Sequence, residues 1–591
     1  MPFIVFVLAS VGCAVPVLSW MRLPRTGESV AYHFLVGACM LATLTIVAGS
    51  VSLLAARVIA GAAAVAGLYR FVSWRESSPS DDPSTSSPLE RISLAACFIA
   101  VAFSVVLGMA PGTAWDAGVA HLALPAAYLR EGRIHLVEGN NYSAYPHLIQ
   151  SLSALVYAPR DETRAAWICA FFGILSCVTV YHLARRMAGR EAGAIAAALL
   201  STTPIFMDQA SSPTIDLAYT ATLLGALNAL VAWRNDNESR WLVIAAILAG
   251  SGCGVRHTAY LAGLLMTAGV FYFARERRAG TTGLFLAAAA VSASPWLLRS
   301  AMVAGNPFYP FLSSYFPSAI PDVDVARVGT HSSIQGMSVI GFVLFPWELV
   351  MNPVKYGGWH NSPGALWLLL GIPGLLAGGR TARGLGAFSG AGIASLYFFQ
   401  RFARYALPFI APMMAVAAVG ACRIGAMRKP VAALLVATYA FGLIPAVATL
   451  GTKWSAITGV ETREQFLTRR VERYPAMAWA NENLDASETI LTLDPRGYYF
   501  DAPTFSNFEA LKPLTRLRKS EQLEWLRERR VRYLFYPEAY VLESPAFRET
   551  GVLEMLNAWR ADTGHFRLVH RMILDRPRGG GREIVEIYEF H

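Results

Sequence analysis

The feature that most constrains this chain is a series of apolar segments, each about as long as a membrane crossing, recurring from residue 3 to residue 450. A soluble enzyme on a single anchor is excluded, because the segments do not stop after the first. Composition agrees: 54% of residues are hydrophobic and 15% are charged, whereas a soluble domain carries about 25% charged residues. Lys and Arg exceed Asp and Glu by 50 to 40, a net charge of +10. Many of the Arg residues sit in short clusters between apolar runs, where topology signals belong, so the excess does not point to nucleic acid. The seven cysteines (Cys13, Cys39, Cys97, Cys169, Cys177, Cys253 and Cys422) all lie within apolar segments. No disulfide framework is expected.

Residues 1–20 lack a basic leading region and read as a spanning helix, not a cleaved signal peptide. Further runs cover 32–50, 51–70 and 92–110, with Arg22, Arg25, Arg70 and Arg75 beside them and a Ser/Pro-rich linker over 76–90. Such a linker cannot bury a core. Later runs cover 164–184, 191–207, 213–233, 241–255, 258–274, 282–298, 363–379, 384–399, 405–422 and 430–450. The total is about fourteen spans at ~20 residues each. With the Arg clusters placed in the cytoplasm, the N-terminus, a first loop at 111–163, a second at 299–362 and everything after 451 lie on the outer face. Residues 1–450 form the membrane domain on this reading. Residues 451–591 form an outer α/β domain, with a helix over 520–530 and strands over 489–493, 531–536 and 584–588.

The first outer loop opens Gly112-Thr-Ala-Trp-Asp116 and continues through His121 and Tyr128 to Asn141-Tyr-Ser-Ala-Tyr145-Pro-His147. Its length of about fifty residues exceeds that of a mere connection. The plainer reading of Asp116 is a solvated carboxylate capping the next helix; the sharper one is a general base at the membrane surface. Asp208 and Asp216 flank the next outer turn, and Asp216 stands where an ionisable group needs a task or a partner. An N-cap or a buried Asp–Arg pair is its plainer reading. Arg256, His257, Arg299, Lys355, Arg401 and Arg404 all fall on the outer side, which the charge rule disfavours. Each alone reads as a snorkelling residue; together they suggest a shared anionic ligand such as a lipid phosphate. His121, His135 and His147 lack metal-signature spacing and read as structural. A divalent ion on Asp116 with Asp208 or Asp216 stays open, since hard cations prefer carboxylates. No nucleotide or nucleophile-elbow motif is present.

Trp115-Asp116 with His121-Leu122 and Pro125, Pro213-Thr-Ile-Asp216, Asn306-Pro-Phe-Tyr309-Pro310 and Arg401-Phe-Ala-Arg404-Tyr-Ala-Leu-Pro408 resemble the GT-C glycosyltransferases. Within them the branch of the protein O-mannosyltransferases and the lipid A aminoarabinose transferase is the nearest in pattern. The stretch from Tyr474-Pro475 to Gly497-Tyr-Tyr499 resembles the start of their outer domain. One departure stands out: Ala117 occupies the place where that branch carries a second carboxylate.

The resemblance implies a polytopic helical membrane enzyme that takes a sugar from a polyprenyl-phosphate-linked donor. The acceptor would be a glycan, lipid or protein on the outer face of a bacterial inner membrane. It implies Asp116 as base, with Asp216 or Asp208 orienting the acceptor. Arg256, His257, Arg299, Lys355, Arg401 and Arg404 would hold the donor phosphate, and His121, Tyr128, Tyr145 and Tyr309 would contact sugar or acceptor. Membrane lipids are expected partners and nucleic acid is not. The competing readings are a lipid or polysaccharide transporter with an outer accessory domain, a surface-polysaccharide polymerase or ligase, and an inactive scaffold. A transporter predicts charges near mid-membrane, whereas the Asp residues here cluster at the outer interface.

Overall fold

The apolar runs form helices, and short polar residues between them set the helix starts. Thr26 Oγ1 accepts from Ser29 N at 3.3 Å while Ser29 Oγ accepts from Thr26 N at 3.0 Å, a reciprocal cap that opens the Gly27–Val51 helix. Ser87 caps Pro88–Leu107 with a single bond, accepting from Glu90 N at 3.0 Å with proline at the first helical position. The computed structural model describes residues 1–23, 26–73, 86–318, 320, 337–424, 427–548, 550–575 and 581–591. Arg25, Arg75, most of the expected 76–90 linker and residues 321–336 of the expected 299–362 loop lie outside the described residues.

Eight described helices are long and apolar enough to cross a membrane: Phe3–Trp20, Gly27–Val51, Leu53–Val72, Pro88–Leu107, Thr163–Ser201, Arg278–Ala304, Ala403–Arg423 and Arg428–Ile457. The protein is thus a multi-pass helical membrane protein. Three shorter apolar helices, Ser239–Gly252, Thr258–Phe273 and Val339–Met351, accompany them. The last lies inside the stretch read as a loop over 299–362; its thirteen residues are too few to register as a span. The expected run 363–379 is broken into Leu366–Leu369 and Gly371–Ala377. Thr163–Ser201 is two helices merged across a kink at Ala188 and Gly189, where φ reaches +86° at the glycine. That kink separates the two runs expected there.

Ala403–Arg423 is the central helix, 89% buried, whereas Arg278–Ala304 at 17% is peripheral. Charged residues near the kink pair with partners on other helices: Arg186 with Glu28 at 2.7 Å, Arg190 with Glu90 at 3.1 Å and Glu191 with Arg428 at 3.1 Å. These pairs gather residues 28, 90, 186–191 and 428 at one end of the bundle. At the other end Glu162 accepts from Arg463 at 2.7 Å and from Tyr498 Oη at 2.9 Å, tying the bundle to the C-terminal sheet.

The sheet has five strands, β1 (Thr489–Thr492), β2 (Thr504–Phe505), β3 (Val531–Pro537), β4 (Phe566–Asp575) and β5 (Arg582–Phe590), in the order β2-β1-β3-β5-β4. β1 is parallel to β2 and β3, and β5 is antiparallel to β3 and β4. β3 is central and covered on both faces, which is why it reads as a nearly continuous apolar run. The helix Lys519–Glu528 lies directly before it. All seven cysteines are free.

Candidate active site

Asp116 lies between the end of Pro88–Leu107 and a single π-helical turn, Ala117–His121. Its side chain does not cap that turn. Instead Oδ2 meets Arg404 Nη2 at 2.6 Å, at the start of the central helix Ala403–Arg423. Protein surrounds Asp116 densely, yet its side chain keeps 35% of its area open, so it faces a concave space. Trp115 and Tyr142, open to 43% and 44%, lie close by. Burial would raise the Asp116 carboxyl, but the charges of Arg404, His121 and Arg256 outweigh it and hold the group below its ordinary value.

A second pair stands beside the first. Asp216 Oδ1, at the first turn of the Asp216–Asp236 helix, accepts from Arg256 Nη1 at 2.5 Å. Asp216 is 2% exposed, so this is the buried Asp–Arg pair. Tyr405 joins the two pairs. Its ring lies 3.9 Å from the Arg256 guanidinium and 5.1 Å from that of Arg404, and its hydroxyl accepts from Arg404 Nη2 at 3.2 Å. His121 is within electrostatic reach of Asp116, Asp216, Arg256 and Arg404. Gln150 Nε2 donates to His121 Nδ1 at 3.0 Å, and burial holds the imidazole down to about 4.

Asp208 sits at the edge of this cluster, accepting from Gln209 Nε2 at 2.8 Å. Burial lifts its carboxyl above the ordinary value against the pull of His360, Lys453 and Arg404. His257 Nε2 donates to Tyr309 O at 2.8 Å, and burial takes its ring down to about 4. Tyr145 packs edge-on against both, 5.5 Å from His257 and 5.8 Å from Tyr309, and 5.1 Å from Tyr142.

Other expected site residues stand apart from the carboxylates. Tyr128 is fully buried and donates from Oη to His147 Nε2 at 2.5 Å. Arg299 Nη2 donates to Ser143 O at 2.6 Å, bracing the first loop. Arg401 packs its guanidinium 3.9 Å from the Tyr397 ring and donates to Tyr397 O at 2.9 Å. Lys355 is on the surface beside Glu348 at 3.6 Å. His135 meets the Tyr128 ring at 5.7 Å.

Sequence reasoning passed over Tyr405, Gln150, Lys453 and His360. Tyr405 carried a usable signal, an aromatic residue directly after Arg404; the others are brought in only by the tertiary fold. Among the described residues no three His, Cys, Asp or Glu side chains converge to hold a metal. Asp116 and Asp216 each face a guanidinium instead. The donor set does not fit the divalent ion left open by the sequence.

Residues 145–298, which include Asp208, Asp216, Arg256 and His257, match the family model described as dolichyl-phosphate-mannose-protein mannosyltransferase. No curated protein sequence matches significantly. Among solved structures, ArnT from Cupriavidus metallidurans bound to undecaprenyl phosphate superposes with a TM-score of 0.54 at 14% identity. The match covers 84% of this chain and 97% of that one. Its apo form gives 0.53 at 15% identity over 83% and 97%. The Archaeoglobus fulgidus oligosaccharyltransferase AglB, in complex with an inhibitory peptide and a dolichol-phosphate, gives 0.47 at 14% identity over 84% and 74%. The chain has the GT-C fold.

Proposed function

We propose that the protein is an integral-membrane glycosyltransferase that moves a sugar from a polyprenyl-phosphate-linked donor to an acceptor on the outer membrane face, with Asp116 as general base. The observation that carries this reading is the Asp116 carboxylate, held ionised by Arg404 yet open to a concave space. The GT-C fold, the mannosyltransferase family match and the undecaprenyl phosphate of the similar ArnT structure support the donor class.

The chemistry follows from the arrangement. The acceptor oxygen attacks the anomeric carbon and its proton passes to Asp116. The bond from that carbon to the phosphate oxygen breaks, and negative charge collects on the leaving polyprenyl phosphate. Arg256 and Arg404 each spend only part of their donor fork on Asp216, Asp116 and Tyr405, so guanidinium N–H groups are at hand for that charge. The isoprenoid tail would stay between helices, and the acidic pairs at the far end of the bundle fit a cytoplasmic side for Arg186, Arg190 and Arg428. Asp216 fixes Arg256 and orients the acceptor side.

Sugar release from radiolabelled polyprenyl-phosphate monosaccharides by protein in nanodiscs tests the proposal. Asp116→Asn is expected to cut turnover by about 10²–10⁴-fold, the usual contribution of a general base. Undiminished turnover in that variant would remove Asp116 as the base and make Asp216 the next residue to test. Tight donor binding without release across a broad panel of sugars would sink the transferase reading and favour a transporter.

A further inference from the structure

We infer that Tyr499 and Arg496 of the C-terminal sheet unit are positioning residues that hold the Asp116-bearing turn in its reactive placement. The inference rests on the transferase reading for its consequence and on geometry for its substance.

The segment Gly112–Gly118 carries Trp115 and Asp116, and residues 496–499 touch it at three points. Tyr499 Oη donates to Gly112 O at 2.9 Å, ahead of the carboxylate. Beyond the carboxylate, Gly118 packs so closely that a side chain there would meet Tyr499 Cε2 at 3.1 Å and Arg496 Cβ at 3.2 Å. Between them the Arg496 guanidinium lies 4.8 Å from the Trp115 ring, next to Asp116 in sequence. Tyr540, also from the C-terminal unit, lies 6.2 Å from the Trp115 ring.

The holding residues are themselves immobilised. Arg496 grips Asp494 through two bonds, Nε to Oδ1 at 2.9 Å and Nη2 to Oδ2 at 2.6 Å. Arg473 donates to the same carboxylate at 2.6 Å and to Glu583 on β5 at 3.0 Å. Asp494 is wholly buried and Tyr499 is 3% exposed. The three-residue helix Gly497–Tyr499 is therefore anchored to the sheet on one side and to the catalytic turn on the other. A unit that merely covered the site would not need to seat a buried ion network against the residue adjoining the base.

The consequence is that loosening these contacts moves the carboxylate without removing it, which lowers the rate of the chemical step and leaves donor affinity alone. Tyr499→Phe removes one bond and keeps the ring, so it should fold. Its kcat is expected to fall about tenfold with KM unchanged within about twofold, because small misplacements of a catalytic group are costly. Arg496→Lys keeps the charge and loses the fork, and is expected to cost more in kcat with the same unaltered KM. Hydrogen exchange by mass spectrometry on intact protein in nanodiscs supplies a readout independent of turnover: amides of 112–122 should exchange faster in Tyr499→Phe while those of β3 and β5 do not. Unchanged exchange over 112–122, or an unchanged kcat in both variants, overturns the inference. Faster local exchange in a protein whose wild type releases no sugar from any donor upholds the positioning and rejects the transferase reading instead.

Discussion

Asp116 and Arg404 join the segment after the Pro88–Leu107 helix to the head of the central helix through a 2.6 Å contact between Oδ2 and Nη2. The pair decides how the proposed base titrates. With burial opposed by Arg404, His121 and Arg256, the carboxyl is held below its ordinary value of 3.8. A base must be ionised to act, so the wild-type rate should not fall through an Asp116 titration between about pH 5 and pH 8. Arg404→Gln removes the largest opposing charge, and burial then lifts the carboxyl. The acid limb of the pH–rate profile is expected to move upward in that variant, together with a lower plateau. An acid limb that stays in place would mean that Asp116 is not the titrating base.

Helix packing in the N-terminal part relies on absent side chains. A methyl at Gly12 would stand 1.8 Å from Ala63 O, and one at Gly67 would stand 1.9 Å from Leu8 O. The helices Phe3–Trp20 and Leu53–Val72 therefore approach backbone to backbone, as small residues permit in a membrane. Both obstacles are carbonyls and cannot swing aside. Gly12→Leu and Gly67→Leu are each expected to lower the thermal unfolding midpoint in detergent by several degrees, with surface-facing Gly61→Leu as the control, since nothing lies within 4 Å of it. Equal midpoints for all three would refute the close approach.

The first spanning helices were legible because apolar length is a local signal: the runs beginning near residues 3, 32, 51 and 92 became the Phe3–Trp20, Gly27–Val51, Leu53–Val72 and Pro88–Leu107 helices. The helix 520–530 and the strands around 490, 531 and 584 were local signals too. The Val339–Met351 helix was missed because its thirteen residues, Pro346 and Glu348 among them, fall short of a crossing. Asp116 and Asp216 were singled out by their position beside apolar runs. Their pairing with Arg404 and Arg256 was not specified, since nothing within either segment names a partner across the fold. The same holds for Arg496 against Trp115, which depends on how the sheet docks.

Histidines near the site set a stability window. His257 and His121 are held down to about 4 by burial, from an ordinary 6.5. Between these values the unfolded chain binds protons that the native rings refuse, so stability is complete above pH 6.5 and is lost as pH falls toward 4. The unfolding midpoint should drop between pH 7.5 and pH 5. His257→Gln, which does not titrate, should show a smaller drop. A variant as pH-sensitive as the wild type would show that His257 is protonated in the fold.

Asp216 and Arg256 offer the sharpest test of how the second pair works. Asp216 has 2% of its side chain exposed and Arg256 has 15%, with 2.5 Å between Oδ1 and Nη1. Removing one partner leaves the other charge buried alone, which costs about 3–5 kcal/mol, whereas removing both leaves no stranded charge. Asp216→Asn and Arg256→Gln are therefore each expected to be strongly destabilising. The double variant should recover much of the loss, giving a coupling energy well above the ~0.5 kcal/mol error of additivity for independent sites. Thermal unfolding of the four proteins in one detergent supplies the cycle. Additive effects would mean that the two side chains do not depend on each other, and Arg256 would then be free to serve an anionic ligand without Asp216 to hold it. Strong coupling with turnover still abolished in the folded double variant would separate two roles: the pair keeps the Asp216–Asp236 helix docked, and turnover needs the Asp216 or Arg256 side chain for itself.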